Sequence, residues 1–410
     1  MLSTPGLVRR WTAGALAAVA VCTAVFGERV AAAAGPIPPA AFGVLAASLS
    51  QDGRRLSWTV TLDHDFSGGA FRRGRRTLCL WLERRSPGAM TGRLCVLPPA
   101  RRGRTLRLTF ARVTARGPGR ARVVAATITR GGRDELTASL IPTDFDPGYR
   151  ALRWQVRSTV AGGACAAPAV AAVAPCSIAF PARPALARLH TPVLVGCVAS
   201  GRSLVFGGSQ HRHEIALTFD DGPWGTPPSI DFVNLLARYH VPATFFEIGS
   251  QISRYDPTGA IERRMLADGD MIGDHTWTHP DMLTLPPAAQ TAQLRLTADA
   301  IRRATGFTPC LWRPPYGAIS PRLDSLARGL GFLTIYWNVD TRDWSLPGVA
   351  SIERTALSNA SNGAIVLMHF GGGPRYETYA ALPTIITALR SRGYRFVNVA
   401  QLLGLRMIYR

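Results

Sequence analysis

The sequence predicts an α/β fold: a barrel-like domain over residues 200–410, preceded by a smaller all-β, sandwich-like domain over 36–160. Three features support this. Residues 40–160 carry short segments of alternating apolar and polar residues between Gly, Pro and Arg-rich turns. From about residue 200 the texture changes to alternating strand and helix signals, which implies parallel strands joined by crossover helices. Polar, chemistry-bearing blocks follow directly after apolar strand segments, which favours closure into a barrel over an open sheet.

Residues 1–34 read as a signal peptide. Arg9 and Arg10 precede an apolar stretch over 11–26, and small residues over 30–34 suit a peptidase. The mature chain is therefore expected to be secreted or cell-wall associated. Cys22 follows Val21, a poor context for lipid attachment. No later run of about 18 apolar residues exists, so no membrane span is expected after cleavage. Strand segments in the first domain fall at 56–62, 77–82, 105–110, 121–129 and 152–156. Asp63, His64 and Asp65 lie close together there, and a polar turn accounts for them. Residues 161–199 are Ala and Pro-rich and read as a linker. In the second domain, strands are expected at 214–219, 243–248, 311, 333–337, 364–368 and 396–399. Helices are expected at 227–239, 261–267, 288–304, 321–330, 351–359 and 379–392.

The formal charge is +21, and every basic residue is Arg. The surplus is uneven: 23 Arg against 8 acidic residues over 36–185, but 20 against 17 over 200–410. A concentrated positive field attracts polyanions, so the first domain is expected to meet an anionic cell-wall polymer. Arg and Ala richness without Lys is equally the mark of a GC-rich coding bias. Nucleic acid is a poor partner for an exported chain. Beyond the signal, six cysteines remain. Local pairing predicts Cys79–Cys95 and Cys165–Cys176, leaving Cys197–Cys310.

The block Thr218–Pro223 ends an apolar strand with two adjacent carboxylates, Asp220 and Asp221. Like charges that close raise each other's pKa unless cations relieve them. A metal ion on one and an Arg on the other would do so; an acidic turn would also explain the block taken alone. His275 and His279 stand at i and i+4, and on a helical turn would share one face and suit one metal ion. The preceding apolar stretch also allows a strand end there. Two His and one Asp leave a coordination shell incomplete, as catalytic zinc requires. Asp221, His275 and His279 are thus the candidate ligands, and Asp220 is free to act as general base.

Arg313-Pro314-Pro315-Tyr316-Gly317 follows a second apolar segment. Its prolines remove two backbone donors and leave the Tyr316 N–H as a candidate oxyanion donor. Arg313 can hold Asp220 ionised through a charge-assisted pair. Asp340-Thr341-Arg342-Asp343-Trp344 and Leu367-Met368-His369 end two further strands. An Asp beside His369 would keep it protonated, able to give its proton to a leaving amine. Trp344 and Leu367 could wall a small apolar pocket for an acetyl methyl. Together these groups make a kit for metal-assisted amide or ester hydrolysis.

The blocks Thr218–Pro223, His275–His279, Arg313–Gly317, Asp340–Trp344 and Leu367–His369 closely resemble the five motifs of the polysaccharide deacetylase family, the NodB-homology or family 4 carbohydrate esterases. The resemblance covers about residues 212–405, roughly half the chain. It implies a distorted (β/α) barrel and a zinc ion or another divalent metal such as cobalt. By position it implies Asp220 as base, Asp221, His275 and His279 as ligands, Arg313 orienting Asp220, and the Tyr316 backbone as oxyanion donor. It further implies Asp343 tuning His369 as acid, with Trp344 and Leu367 lining the pocket. Phe370 departs from the family, which often has Asp or Asn there. The first domain falls outside the resemblance.

The expected function is metal-dependent removal of N-acetyl groups from a polysaccharide, either peptidoglycan or a chitin-like N-acetylglucosamine polymer. Two alternatives remain: an O-acetyl esterase acting on acetylated xylan, and a non-catalytic wall-binding protein with an inactive barrel.

Overall fold

The computed structural model describes residues 41–63, 71, 76–84, 90–98, 105–114, 116–143, 145, 149, 151–160, 177–225 and 227–410. The expected signal peptide, His64, Asp65 and the Cys165–Cys176 pairing lie outside the described residues.

The first domain is built from β1 (Val44–Asp52), β2 (Arg55–Leu62), β3 (Arg76–Arg84), β4 (Met90–Leu97), β5 (Arg107–Ala111), a small hairpin β6 (Val113–Thr114) and β7 (Gly117–Pro118), β8 (Arg122–Val124), β9 (Ala126–Thr129), β10 (Glu135–Leu140), β11 (Ala151–Val160) and β12 (Ser177–Arg188). Two antiparallel sheets result, ordered β1-β2-β10-β9 and β12-β11-β3-β4-β5-β8. Strict alternation decides which side of each strand is buried. In β2, Leu56, Trp58, Val60 and Leu62 point inward, while Ser57, Thr59 and Thr61 point outward. They meet Leu78, Leu80, Leu82, Leu94, Val96 and Val156 from the facing sheet in one core. Cys79 and Cys95 are directly paired across β3 and β4 and form a disulfide.

The expected linker is corrected by the backbone pairing. Residues 177–188 are not a connector but form β12, antiparallel to β11. Ala and Pro score poorly as strand formers, yet β12 is the sheet edge, where Pro181 and Pro184 need not donate to a further strand. β13 (Leu194–Val198) likewise pairs with the C-terminal β23 (Arg406–Tyr409). Cys197 on β13 is bonded to Cys310 of the second domain.

The second domain wraps a nine-stranded sheet with helices. Its strands are β14 (Leu204–Val205), β15 (Glu214–Gly222), β16 (Thr244–Glu247), β17 (Met271–Asp274), β18 (Leu311–Trp312), β19 (Leu333–Ile335), β20 (Val339–Asp340), β21 (Ala364–His369) and β22 (Arg395–Phe396). Pairing is parallel in the order β14-β19-β18-β17-β16-β15-β21-β20, with β22 also on β15. The sheet curves without complete closure, which is the distorted (β/α) barrel. Helices α1 (Ser229–Arg238), α2 (Gly249–Tyr255), α3 (Ala260–Asp268), α4 (Pro287–Thr305), α5 (Pro321–Gly329), α6 (Val349–Ser358), α7 (Tyr376–Ser391) and α8 (Val399–Leu403) accompany it. α5 starts with Ser320 accepting from the Leu323 N–H and Pro321 in its first turn, the start signals the sequence carries. The short β14, α2 and α8 are additions to the sequence-based elements, being too brief to show periodicity. β15 and β21 are buried along nearly their whole length, as a central parallel strand covered on both faces must be. Among the described residues, no helix is long and apolar enough to cross a membrane.

Candidate active site

The parallel strands all deliver their C-terminal ends to one face, and each sequence block sits there. Asp220 and Asp221 end β15, His275 follows β17, Arg313 follows β18, Asp343 lies just after β20, and His369 ends β21. Asp221 has φ 74, a left-handed conformation costing roughly 1 kcal/mol or more in a non-Gly residue. That turn reverses the alternation of the strand, so two consecutive carboxylates can serve one site. The turn is hemmed in closely. A Cβ on Gly222 would run into the Phe370 ring, and one on Gly371 would lie 2.0 Å from the Asp221 carbonyl oxygen. Phe370, the departure from the family pattern, is fully buried against Phe232 and Phe245 and supports this turn apolarly.

The two histidines do not share a helical face. Residues 275–280 form a loop, with Thr276 and His279 at φ 69 and 59. The left-handed turns fold the loop back, so the ring pair is made by loop geometry rather than by helical periodicity. The Gln293 side chain on α4 accepts from the Trp277 and Thr278 amides at 2.8 and 2.9 Å and fixes the loop. His275 Nε2 and His279 Nε2 lie 3.3 and 3.2 Å from the same Asp221 oxygen, Oδ1. That oxygen is buried with no hydrogen-bond partner. His275 Nδ1 donates to the Arg313 carbonyl oxygen at 2.7 Å, which leaves its Nε2 lone pair facing Asp221. The ligand atoms of Asp221, His275 and His279 lie within 4.8 Å of one another. Two imidazole nitrogens and one orphaned carboxylate oxygen fit a divalent cation of the zinc type, with positions left for water and substrate. Burial pushes the Asp221 carboxyl up, but its contacts with His275 and His279 outweigh this and hold it well below the usual range.

Asp220 is buried beside this cluster, its Oδ2 3.8 Å from His275 Nε2. Arg313 Nη1 donates to Asp220 Oδ1 at 2.7 Å and to Thr218 Oγ1 at 2.9 Å. The same guanidinium donates to the carbonyls of Ile335 and Tyr336 and lies 4.2 Å from the Phe246 ring centroid. A buried cation so surrounded has one orientation, and it dictates that of Asp220.

His369 Nδ1 is 2.8 Å from Asp343 Oδ1, and the His369 amide donates to Asp343 Oδ2 at 2.8 Å. Thr378 on α7 donates to Asp343 Oδ2 at 2.7 Å. Burial lowers the His369 pKa, but Asp343, with help from Asp221 and Asp220, raises it to about 9. Asp343 in turn is lowered by His369 against the effect of its own burial. Trp344 is half-exposed, Leu367 is buried two residues before His369, and Arg375 donates to the Trp344, Gly371 and Gly372 carbonyls. Tyr316 is largely exposed at φ 60, with its ring edge-on to His279 at 4.7 Å. Its loop is held by the Tyr336 hydroxyl, which donates to the Gly317 carbonyl. Gln293, Tyr336, Arg375 and Thr378 were missed by sequence reasoning. Only fold contact reveals them, because a lone polar residue on a helix or after a strand carries no signal of its own.

Residues 207–335 match the family model for polysaccharide deacetylase. A peptidoglycan-N-acetylglucosamine deacetylase of Bacillus cereus is 38% identical over 198 residues, covering 46% of this chain and 87% of that protein. This chain belongs to the polysaccharide deacetylase family. A chitooligosaccharide deacetylase of Rhizobium leguminosarum bv. trifolii is 36% identical over 205 residues, covering 47% of this chain and 93% of that protein. The peptidoglycan-N-acetylglucosamine deacetylase PgdA of Listeria monocytogenes is 38% identical over 192 residues, covering 46% of this chain but only 39% of its own length. These matches to polysaccharide deacetylases each span less than half of this chain, so the β-sandwich domain stands apart from them.

Proposed function

We propose that this chain is a metal-dependent hydrolase that removes acetyl groups from an N-acetylglucosamine polymer outside the cytoplasm. The observation that carries the reading is the division of the adjacent carboxylates. Asp221 Oδ1 is aimed, unpartnered, between two imidazole nitrogens, while Asp220 is tied to Arg313. A divalent cation held by Asp221, His275 and His279, zinc or cobalt by donor type, would polarise the acetyl carbonyl and lower the pKa of water. Asp220 takes the proton of the attacking water, and the Arg313 contact holds its carboxylate in one orientation for that task. The Tyr316 N–H faces the oxyanion as the carbonyl becomes tetrahedral. His369, protonated through Asp343, gives its proton to the sugar nitrogen as the C–N bond breaks. Acetic acid and a free amine leave, the acid ionises to acetate, and the proton taken by Asp220 passes by way of solvent to recharge His369. Trp344 and Leu367 line the acetyl methyl. The disulfides Cys79–Cys95 and Cys197–Cys310 suit an oxidising, extracytoplasmic compartment.

Acetate release from chitooligosaccharides, peptidoglycan and acetylxylan tests the reading directly. Release from the N-acetylated substrates is expected, abolished by chelation and restored by Zn²⁺ or Co²⁺. Release from acetylxylan alone would shift the assignment to an O-acetyl esterase. A metal-loaded protein that binds glycan but frees no acetate would end the catalytic reading.

A further inference from the structure

The two outward faces of the sandwich domain differ in chemistry. On the four-stranded sheet the outward positions of β2 and β10 are five hydroxyls, Ser57, Thr59, Thr61, Thr137 and Ser139, with one arginine, Arg55, set opposite Asp52 of β1, and one acid, Glu135. Ser57–Ser139 and Thr59–Thr137 bond to each other across the strands. On the six-stranded sheet the outward positions carry arginines from four strands: Arg188 on β12, Arg153 and Arg157 on β11, Arg93 on β4 and Arg107 on β5. Among the described residues the acid on this face is Glu83, opposite Arg153. A coding bias toward Arg would load both faces alike. The segregation places a net positive band on one face of one domain, in a chain whose residues 36–185 hold 23 Arg against 8 acidic residues.

This face is poorly suited to stacking a sugar ring. Its aromatic, Trp81, has the Arg157 and Arg93 guanidiniums 4.6 and 5.7 Å from its ring centroid. Those two side chains rise from strands on either side of β3, roughly 10 Å apart at the backbone. A guanidinium offers a planar fork that matches two oxygens of a phosphate. A phosphodiester chain keeps one charge per repeat at any ordinary pH and can cross the band from one fork to the next. Each exposed contact is weak, and several on one chain add through effective concentration.

We propose that the outer face of the six-stranded sheet, through Arg93, Arg107, Arg153 and Arg157, binds a linear phosphodiester polymer. The contact is electrostatic, lies in a different domain from the deacetylase residues, and holds whether or not the barrel is active. It anchors the chain to an anionic matrix and leaves the barrel free to work on glycan nearby.

Binding of the full chain to poly(glycerol phosphate) is the test, with hyaluronate as a carboxylate polymer for comparison. The parent is expected to bind the phosphodiester polymer, with affinity falling steeply as salt rises. Combined Arg93→Gln, Arg107→Gln and Arg157→Gln should weaken binding by about tenfold or more, as loss of several phosphate contacts does. A matched charge removal from the barrel surface, Arg295→Gln, Arg322→Gln and Arg354→Gln, should leave it near the parent value. Thermal melting checks that the sandwich is folded. If the Gln variant does not fold, the same three positions as Lys retain charge without the fork and should bind measurably more weakly than the parent. Equal losses in the sandwich and barrel variants, equal affinity for hyaluronate, or no binding by the parent would each overturn the proposal.

Discussion

Two groups of buried carboxylates in the barrel respond to burial in opposite ways. Asp221 and Asp343 sit against histidines, and their contacts pull both below the usual carboxylate range in spite of burial. Glu247, at the end of β16, and Glu262, on α3, are fully buried without a cation. Burial raises Glu247 to about 8, and burial with the neighbouring Glu247 charge raises Glu262 to about 11. Glu247 also has neither oxygen hydrogen-bonded. The same withdrawal from water therefore yields charged groups where a partner waits and neutral acids where none does. Active-site carboxylates are distinguished by what faces them rather than by how deeply they lie.

The largest break in this comparison comes from Asp220. Asp220→Asn keeps the shape but removes the proposed proton acceptor. It should lower kcat about 10²–10⁴-fold while metal content, measured by elemental analysis, stays at the parent level. Unchanged turnover would remove Asp220 from the chemistry.

Next is the partner rule itself. His369 is held up to about 9 chiefly by Asp343. In the proposed role of general acid it must carry its proton, so the rate should fall as pH rises toward 9. A cation held by Asp221, His275 and His279 would offset the pull of Asp221 and Asp220 and leave Asp343 as the principal support. Asp343→Asn should thus move the alkaline limb toward the ordinary His value near 6.5, with a lower maximal rate. A pH–rate profile whose alkaline limb does not move would show that Asp343 acts only on packing.

The unpartnered acids give the stability counterpart. The folded state holds a proton on Glu247 that the unfolded chain releases near its ordinary value of 4.5. Stability from this group is complete below about 4.5 and is lost as pH rises through about 8. Glu247→Gln keeps the shape without the titration. Its melting temperature should decline less between these limits and exceed the parent's by several degrees under alkaline conditions. A parallel decline in both proteins would place the proton elsewhere.

The smallest effect belongs to the Tyr316 loop. Tyr336→Phe removes the hydroxyl bound to the Gly317 carbonyl. Loss of one such bond is worth about 1 kcal/mol, so kcat should fall roughly fivefold with KM little changed. A rise in KM alone would mean the loop grips ground-state substrate instead.

By itself, the sequence determined the strand–helix alternation of the barrel, the alternating strands of the sandwich, the Cys79–Cys95 bond and the residue types that could serve one metal site. Those readings rest on local periodicity and on chemistry packed into short blocks, both carried by neighbouring residues. Tertiary structure alone decided the rest. The Ala and Pro-rich segment became an edge strand because β11 offered it a pairing partner, and His275 joined His279 through left-handed loop turns rather than a helix face. Gln293, Tyr336, Arg375 and Thr378 came to the site from separate elements. Five arginines of the sandwich came to share one face only once the register of β12, β11, β3, β4 and β5 had been set. Contacts between residues distant in the chain depend on which strands pair and in what register, and that is settled by burial of the whole core rather than by any local pattern.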